Sequence, residues 1–351
     1  MKQRLVLILE GVGLLLIASL FVYFSQGKTQ TKITGPSTST TREKVISTSR
    51  PEPFSSSTYH FSQYDPGKSF AGYTVIPESG TEKVGLWSPT GQRVHEWNLD
   101  AARARLLPNG NLLVIHGSKW GWSQEYWRKM RRFVREYSWE GDVVWEYEAP
   151  GAAHHDVRRL PNGHTLFLYR LEVPEDMKTP ITDPAKRESR IKSDAVLEIT
   201  PSGEKVWEWL SYEHLDLNSC GWSNCVPLGE AQRSGRRGYD WTHMNTSFPL
   251  AENSWFKGGD RRFRPGNILL LPRNWSEVLL LDRESNQIVW RYHGEDGDTL
   301  SGGHEAQLIG PGLPGAGNLL LFNNGRTRHR SEILEVRPDT SEIVWRYEQG
   351  K

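Results

Sequence analysis

From about Tyr59 to the C-terminus, short apolar runs and turn residues follow one another on a repeated plan. The clearest element is a turn that leads into a strand ending in Trp. Its copies run Pro89 to Trp97, Glu140 to Trp145, Pro201 to Trp207, Glu284 to Trp290 and Pro338 to Trp345. Another strand precedes each copy: Val84 to Trp87, Phe133 to Tyr137, Ala195 to Ile199, Val278 to Leu281 and Ile333 to Val336. Earlier still comes a Gly-Asn type of turn opening an apolar run, as in Leu107 to Ile115, Leu160 to Leu168, Pro265 to Leu271 and Gly315 to Phe322. Such turns supply the positive φ that tight hairpins need, so each unit reads as four antiparallel strands joined by turns.

The spacing sets the fold class. Successive Trp residues lie 48, 62, 83 and 55 residues apart, and about 40–50 residues per four-stranded sheet is the period of a β-propeller. The longer intervals are blades with inserted loops. An all-β propeller is therefore expected over residues 58–351, with five clear repeats. The first, Tyr73 to Trp97, lacks an inner strand unless Tyr59 to Tyr64 supply it. Each terminal Trp is expected to pack between neighbouring blades, where a flat side chain buries area on both faces. A β-solenoid would have shorter repeats without the four-strand rhythm.

The N-terminus follows different rules. Lys2 and Arg4 precede an apolar run from Leu5 to Phe24, broken by Glu10. About 20 residues just cross a bilayer core, and the leading positive charge keeps the N-terminus in the cytoplasm. Residues 1–24 are thus expected to be a single-pass transmembrane signal-anchor, with a cleaved signal peptide as the alternative. Residues 25–57, rich in Ser, Thr, Pro and Lys, read as a flexible linker. This puts the propeller on the periplasmic or extracellular side. Cys220 and Cys225, within Cys-Gly-Trp-Ser-Asn-Cys, then lie in a disulfide-permissive compartment. Charge is balanced, with 43 Lys and Arg against 42 Asp and Glu, which gives no basic excess for nucleic acid. With 15 Trp, 33 Gly and 4 Met, the composition also suits β-structure and turns.

Candidate chemistry gathers where inner strands begin, the strand ends that share a mouth in a propeller. The third unit opens Ala153-His154-His155-Asp156, the fourth Asp240-Trp241-Thr242-His243-Met244-Asn245, the fifth Gly303-His304-Glu305-Ala306-Gln307. Histidine recurring at the same phase of three repeats is hard to explain by packing. Arg273-Asn274 follows the fourth inner strand, and a guanidinium suits an oxyanion such as sulfate or phosphate. Three His-bearing strands and an Arg around one pit describe an anion site able to do nucleophilic or acid–base chemistry.

These residues, in this order, resemble the arylsulfotransferases over roughly Phe133 to Trp345. The likeness rests on His154-His155-Asp156 ahead of Leu-Pro-Asn-Gly, on Asp240 to Asn245, on Arg273-Asn274-Trp275-Ser276, and on His304 to Gln307 followed by Asn323-Asn324-Gly325. The resemblance implies a six-bladed propeller in a membrane or periplasmic setting. It implies ping-pong transfer of a sulfuryl group between phenols, with no nucleotide donor and no cofactor. By position His304 resembles the nucleophile. His155, His243 and Arg273 resemble the groups that hold sulfate oxygens or shuttle protons. Asn245 resembles a supporting donor, and His154 and Asn274 accompany it as substrate-binding candidates.

Three rival readings use the same residues. A non-catalytic propeller would bind an anionic ligand or partner protein. A quinoprotein dehydrogenase-like propeller shares the Gly-x-x-x-Trp repeat, but Cys220 and Cys225 are not adjacent and no acidic calcium cluster is visible. A metal site on the histidines is disfavoured by Arg273 beside it, so no metal ligand is assigned. Lys119 to Arg135, rich in Trp, Tyr and Arg, reads as a surface hairpin. Asn245-Thr-Ser and Asn274-Trp-Ser match the glycosylation sequon, but both fall on the channel.

Overall fold

The structure, a computed structural model, describes residues 65–67, 69–295 and 298–348. The expected signal-anchor and linker lie outside them. No helix among the described residues is long and apolar enough to cross a membrane.

The described residues form the five blades of an all-β propeller. Blade I is three-stranded: Thr74–Pro77, Val84–Trp87 and Arg93–Trp97. Blade II comprises Arg103–Leu106, Leu112–Ile115, Phe133–Tyr137 and Val143–Glu148. Blade III comprises Ala152–Arg159, Thr165–Glu172, Ile191–Ile199 and Lys205–Leu210, with the short Tyr239–Asp240 beside its third strand. Blade IV comprises Met244–Pro249, Ile268–Pro272, Val278–Leu281 and Ile288–Tyr292. Blade V comprises His304–Leu308, Leu319–Asn323, Glu332–Val336 and Ile343–Glu348. Within each of blades II to V the strands pair in chain order and antiparallel. The sixth blade implied by the family resemblance is not found among the described residues, because only five Trp-terminated repeats build sheets. The segment read as a surface hairpin instead holds a 3-10 turn, Gly121–Ser123, and a short helix, Glu125–Met130.

By contacts the chain falls into two units. The smaller holds the described residues to Ile76 together with Gly85–Glu96; the larger holds Pro77–Val84 and everything from Trp97 onward. Blades II to V and the candidate site belong to the larger unit.

Continuous apolar strands make sense in this stack. Side chains alternate between the faces of a strand, and a middle blade has a neighbour on each face. Leu279 and Leu281 pack into the core shared by blades III and IV, whereas Val278 and Leu280 pack into the core shared by blades IV and V. A third cluster joins blade II to blade III through Leu113, Ile115, Val157 and Phe167. Burying each such side chain contributes about 1.5–3 kcal/mol.

The repeat Trp residues add a polar clamp. The indole N–H of Trp97 donates to Ser138 O at 3.0 Å, Trp145 to Pro201 O at 2.8 Å, Trp207 to Asn286 Oδ1 at 3.2 Å and Trp290 to Pro338 O at 3.1 Å. Each acceptor sits in the outer turn of the following blade. The large ring fills the inter-blade gap, and its one polar atom reaches a carbonyl oxygen of the next repeat.

Candidate functional site

The inner strands of blades III, IV and V are irregular where their histidines lie. The ladder register shifts between Ala153 and Val157, between Met244 and Ser247, and between His304 and Gln307. Bulges of this kind re-aim side chains. His155, His243 and Glu305 take positive φ of 58°, 52° and 52° there, a conformation that a non-glycine residue holds only when its surroundings impose it. Counted from the last regular pair, the histidines do not share one phase. His154 and His155 follow it, His304 occupies it and His243 precedes its counterpart.

A polar floor imposes the irregular backbone. Arg103, buried in blade II, donates through Nε to His155 O at 2.8 Å and ion-pairs with Glu305. Arg105 donates to Val157 O at 2.7 Å and to Asp156 Oδ1 at 2.6 Å. Asp156 in turn accepts from Ser247 N at 3.0 Å, and Ala306 N donates to Thr246 Oγ1 at 3.3 Å. Burial opposes ionisation of Asp156, but Arg158, Arg105 and Arg103 outweigh it and hold its carboxyl well below the usual range. The inner strands of three blades are thereby pinned to one another through blade II.

Above this floor the histidines converge. The rings of His154 and His155 are centred 5.1 Å apart, and those of His155 and His243 5.0 Å apart. Arg273 Nη2 lies 3.1 Å from His243 Nδ1. Burial chiefly, and then the charges of His154, His243, Arg170 and His304, push His155 well below the ordinary imidazole range. His304 falls to about 4: burial dominates, the Asn324 and Gly302 bonds oppose it, and Arg273 and Arg326 add to it. Both rings are therefore neutral near pH 7.

The partners of each ring sort their roles. His304 Nδ1 lies 3.0 Å from Gly302 O and 2.8 Å from Asn324 Oδ1. A peptide carbonyl only accepts, so Nδ1 carries the proton and Nε2 the lone pair. The other rings have carboxylates. His154 Nε2 is 3.0 Å from Asp194 Oδ1 while His154 Nδ1 is 2.8 Å from His155 Nδ1. The nearby carboxylate favours the proton on Nε2, although the two atoms are not aligned as a hydrogen bond; His154 Nδ1 then accepts from His155 Nδ1–H, and His155 Nε2 bears a lone pair. His243 Nδ1 contacts Asp240 Oδ2; the charged acceptor takes the N–H, and the Arg273 guanidinium lies alongside. Burial raises both carboxyls, but their histidine bonds and Arg170 more than offset it, so Asp194 and Asp240 stay ionised.

The site thus gathers His154, His155, His243, Arg273 and His304. Asn245 and Asn274 each bond to a backbone carbonyl, and Asn245 Oδ1 is buried with no partner. Asn245 Nδ2 donates to Gly303 O at 3.1 Å, steadying the backbone before His304, and Asn274 Nδ2 donates to Asp240 O at 2.6 Å. Sequence reasoning missed Asp194, Arg170, Arg103 and Arg326. For Asp194 a signal existed, a carboxylate directly before the apolar run Ala195-Val196-Leu197 in the strand Ile191–Ile199. For the three arginines there was none. Cys220 and Cys225 form a disulfide whose loop braces the site. Trp241 donates to Ser219 O at 2.8 Å, and Ser223 N donates to Trp275 O at 3.1 Å.

Comparison with known proteins gives one family: the model described as arylsulfotransferase (ASST) matches residues 90–347. No curated protein matches the chain. Among solved structures, a protein of unknown function from Bacteroides caccae is 13% identical, with TM-score 0.44, over 79% of this chain and 73% of that one. Hydrazine synthase from Kuenenia stuttgartiensis is 11% identical, with TM-score 0.41, over 79% and 71%. BamB from Moraxella catarrhalis is 8% identical, with TM-score 0.35, over 80% and 62%.

Proposed function

The chain belongs to the arylsulfotransferase family, and on that premise we propose that its propeller moves a sulfuryl group from a phenolic sulfate ester to a phenolic acceptor through a sulfohistidine at His304. The observation that carries this reading is the hydrogen bonding of His304. Two carbonyl oxygens hold its Nδ1–H, which frees the Nε2 lone pair in a site where Arg273 is also present.

In the first half-reaction, His304 Nε2 forms a bond to sulfur while the bond from sulfur to the aryl oxygen breaks. The ring becomes a sulfo-imidazolium, and the growing positive charge on Nδ1–H strengthens its bonds to Gly302 O and Asn324 Oδ1. Arg273 offers its guanidinium to the sulfuryl oxygens, a preorganised donor for a trigonal SO3 group in flight. The departing phenolate takes a proton from the His243 side, where Asp240 stabilises the imidazolium that supplies it. In the second half, the acceptor phenol gives its proton back to that base. Its oxygen bonds to sulfur, the nitrogen–sulfur bond breaks, and His304 returns neutral. Charge and protons balance: an aryl sulfate and a phenol exchange one sulfuryl group.

The same proposal puts the propeller on the non-cytoplasmic face of a membrane, tethered by residues 1–24. The disulfide supports it, since such bonds persist in oxidising compartments. The test of function is release of 4-nitrophenolate from 4-nitrophenyl sulfate with phenol as acceptor. Release that depends on phenol and is lost in His304→Ala supports transfer. A folded protein inert across several phenols refutes it.

A further inference from the structure

The arginines around His304 are unevenly paired. Arg170 sits between two carboxylates, with Nε 3.7 Å from Asp194 Oδ1 and Nη2 3.7 Å from Asp240 Oδ1. Arg273 has no carboxylate at hydrogen-bond range, its neighbours there being His243 Nδ1 at 3.1 Å and Asn274 Oδ1 at 3.4 Å, and its buried Nε has no partner. Arg326 is exposed, and no side-chain or backbone acceptor among the described residues pairs with its guanidinium. It nonetheless lies at the nucleophile. Gly302 has φ +71°, and a Cβ there would meet Arg326 Nε at 2.7 Å and Arg326 Cζ at 3.1 Å. The guanidinium therefore rests on the residue whose carbonyl holds His304 Nδ1. A side chain at position 302 would displace it. Its charge is felt by both His304 and Arg273. Two guanidiniums with no carboxylate at ion-pair range among the described residues, Arg273 buried and Arg326 exposed, thus lie by the nucleophile, and Arg273 alone suffices for the single charge of a sulfate ester.

We propose that Arg326 is a specificity residue, and that the site prefers phenols carrying a second anionic group, such as a ring carboxylate, which Arg326 binds at the mouth. The proposal rests on the transfer reading, because it assumes that donor and acceptor phenols dock beside His304. The preference is electrostatic: a carboxylate beside an otherwise unpaired guanidinium forms a charge-assisted, two-point contact that a neutral substituent cannot.

The experiment uses the full chain with 4-nitrophenyl sulfate as donor. It compares two acceptors of similar size, 4-hydroxybenzoate and its methyl ester, in wild type, Arg326→Gln and Arg326→Lys. The readout is the ratio of the two kcat/KM values, so a general loss of activity in a variant cancels. Wild type is expected to favour the carboxylate by about fivefold or more, the scale of a partly exposed ion pair. Arg326→Gln is expected to abolish that preference and Arg326→Lys to restore part of it. A wild-type ratio near one, or a preference that survives Arg326→Gln, overturns the proposal. Arg326→Gln lowering transfer to both acceptors alike also overturns it, by assigning Arg326 to the sulfuryl oxygens. Calorimetric binding of 4-carboxyphenyl sulfate against phenyl sulfate separates the two readings. If nothing is transferred but the dianion still binds more tightly through Arg326, transfer fails and the charge selectivity stands. Equal binding removes the selectivity as well.

Discussion

Arg103 of blade II ion-pairs with Glu305 of blade V, so a guanidinium from one blade holds the residue that follows His304 in another. The same side chain donates to His155 O. One buried cation thereby sets two backbone segments with positive φ, each beside a histidine of the site. Arg103→Met is expected to destabilise the fold by about 3 kcal/mol, because it strands the Glu305 carboxylate in a partly buried place. It is also expected to lower kcat/KM for transfer by about 10–100-fold through misplacement of His304 and His155. Arg103→Lys keeps the charge but loses the planar fork, and should recover more stability than activity. Urea unfolding and steady-state kinetics on the same samples measure both.

The pH dependence follows from burial. His304 binds its proton only near pH 4 in the folded protein, against an ordinary value of about 6.5. The unfolded chain therefore holds more protons than the folded one between these values. Stability is full above about pH 6.5 and is lost as pH falls toward 4, by about 1.4 kcal/mol per pH unit for each extra proton bound. His155, also pushed down, adds in the same direction. The acid limb of kcat/KM, which reports the free enzyme, should bend near pH 4. A bend near 6.5 would show that His304 is not held neutral.

The His243 and Asp240 roles separate by leaving group. 4-Nitrophenolate departs without much help, whereas phenolate needs a proton. Asp240→Asn removes the anion beside His243 and so weakens the imidazolium that supplies it. With phenyl sulfate as donor, His243→Ala and Asp240→Asn are expected to lose about tenfold more than with 4-nitrophenyl sulfate. Equal losses with both donors would assign these residues to binding alone.

Most of the architecture was legible because a propeller repeats its grammar. Strands Val84–Trp87, Phe133–Tyr137 and Val278–Leu281 run over the same residues in sequence and structure. Trp at each repeat end announced the inter-blade contacts, although not their hydrogen bonds to the next turn. The repeat count read from the sequence, five, matches the five blades of the described residues, whereas the sixth blade implied by the family likeness is not shown. The histidines and Arg273 were legible because they cluster at strand starts. Arg103, Arg170 and Arg326 were not, because each reaches the site from a different strand or loop and only the folded ring brings them together. The bonds of Asn245 to Gly303 O and of Asn274 to Asp240 O were not legible, because backbone geometry sets them and spacing does not reveal it.

The disulfide loop packs on the turn that begins at Arg273. Gly221 has φ +63°, and a Cβ there would lie 2.4 Å from Glu277 Oε1 and 2.7 Å from Trp275 Cβ. Gly221→Ala is expected to destabilise the fold by about 2 kcal/mol. It should also raise KM for the donor, since Trp275 ends the turn that begins at Arg273. Thermal unfolding and donor KM measure the two effects, and an unchanged KM would uncouple the loop from the anion site.

The most direct test is to quench full-length protein with acid-free denaturant seconds after mixing it with an aryl sulfate and no acceptor, and to map the sulfuryl group by peptide mass spectrometry. Transfer through His304 requires one adduct, on the peptide and residue His304, that disappears when phenol is added before the quench and never forms in His304→Ala. An adduct on His154, His155 or His243, or full phenol-dependent turnover by His304→Ala, would contradict His304 as the nucleophile.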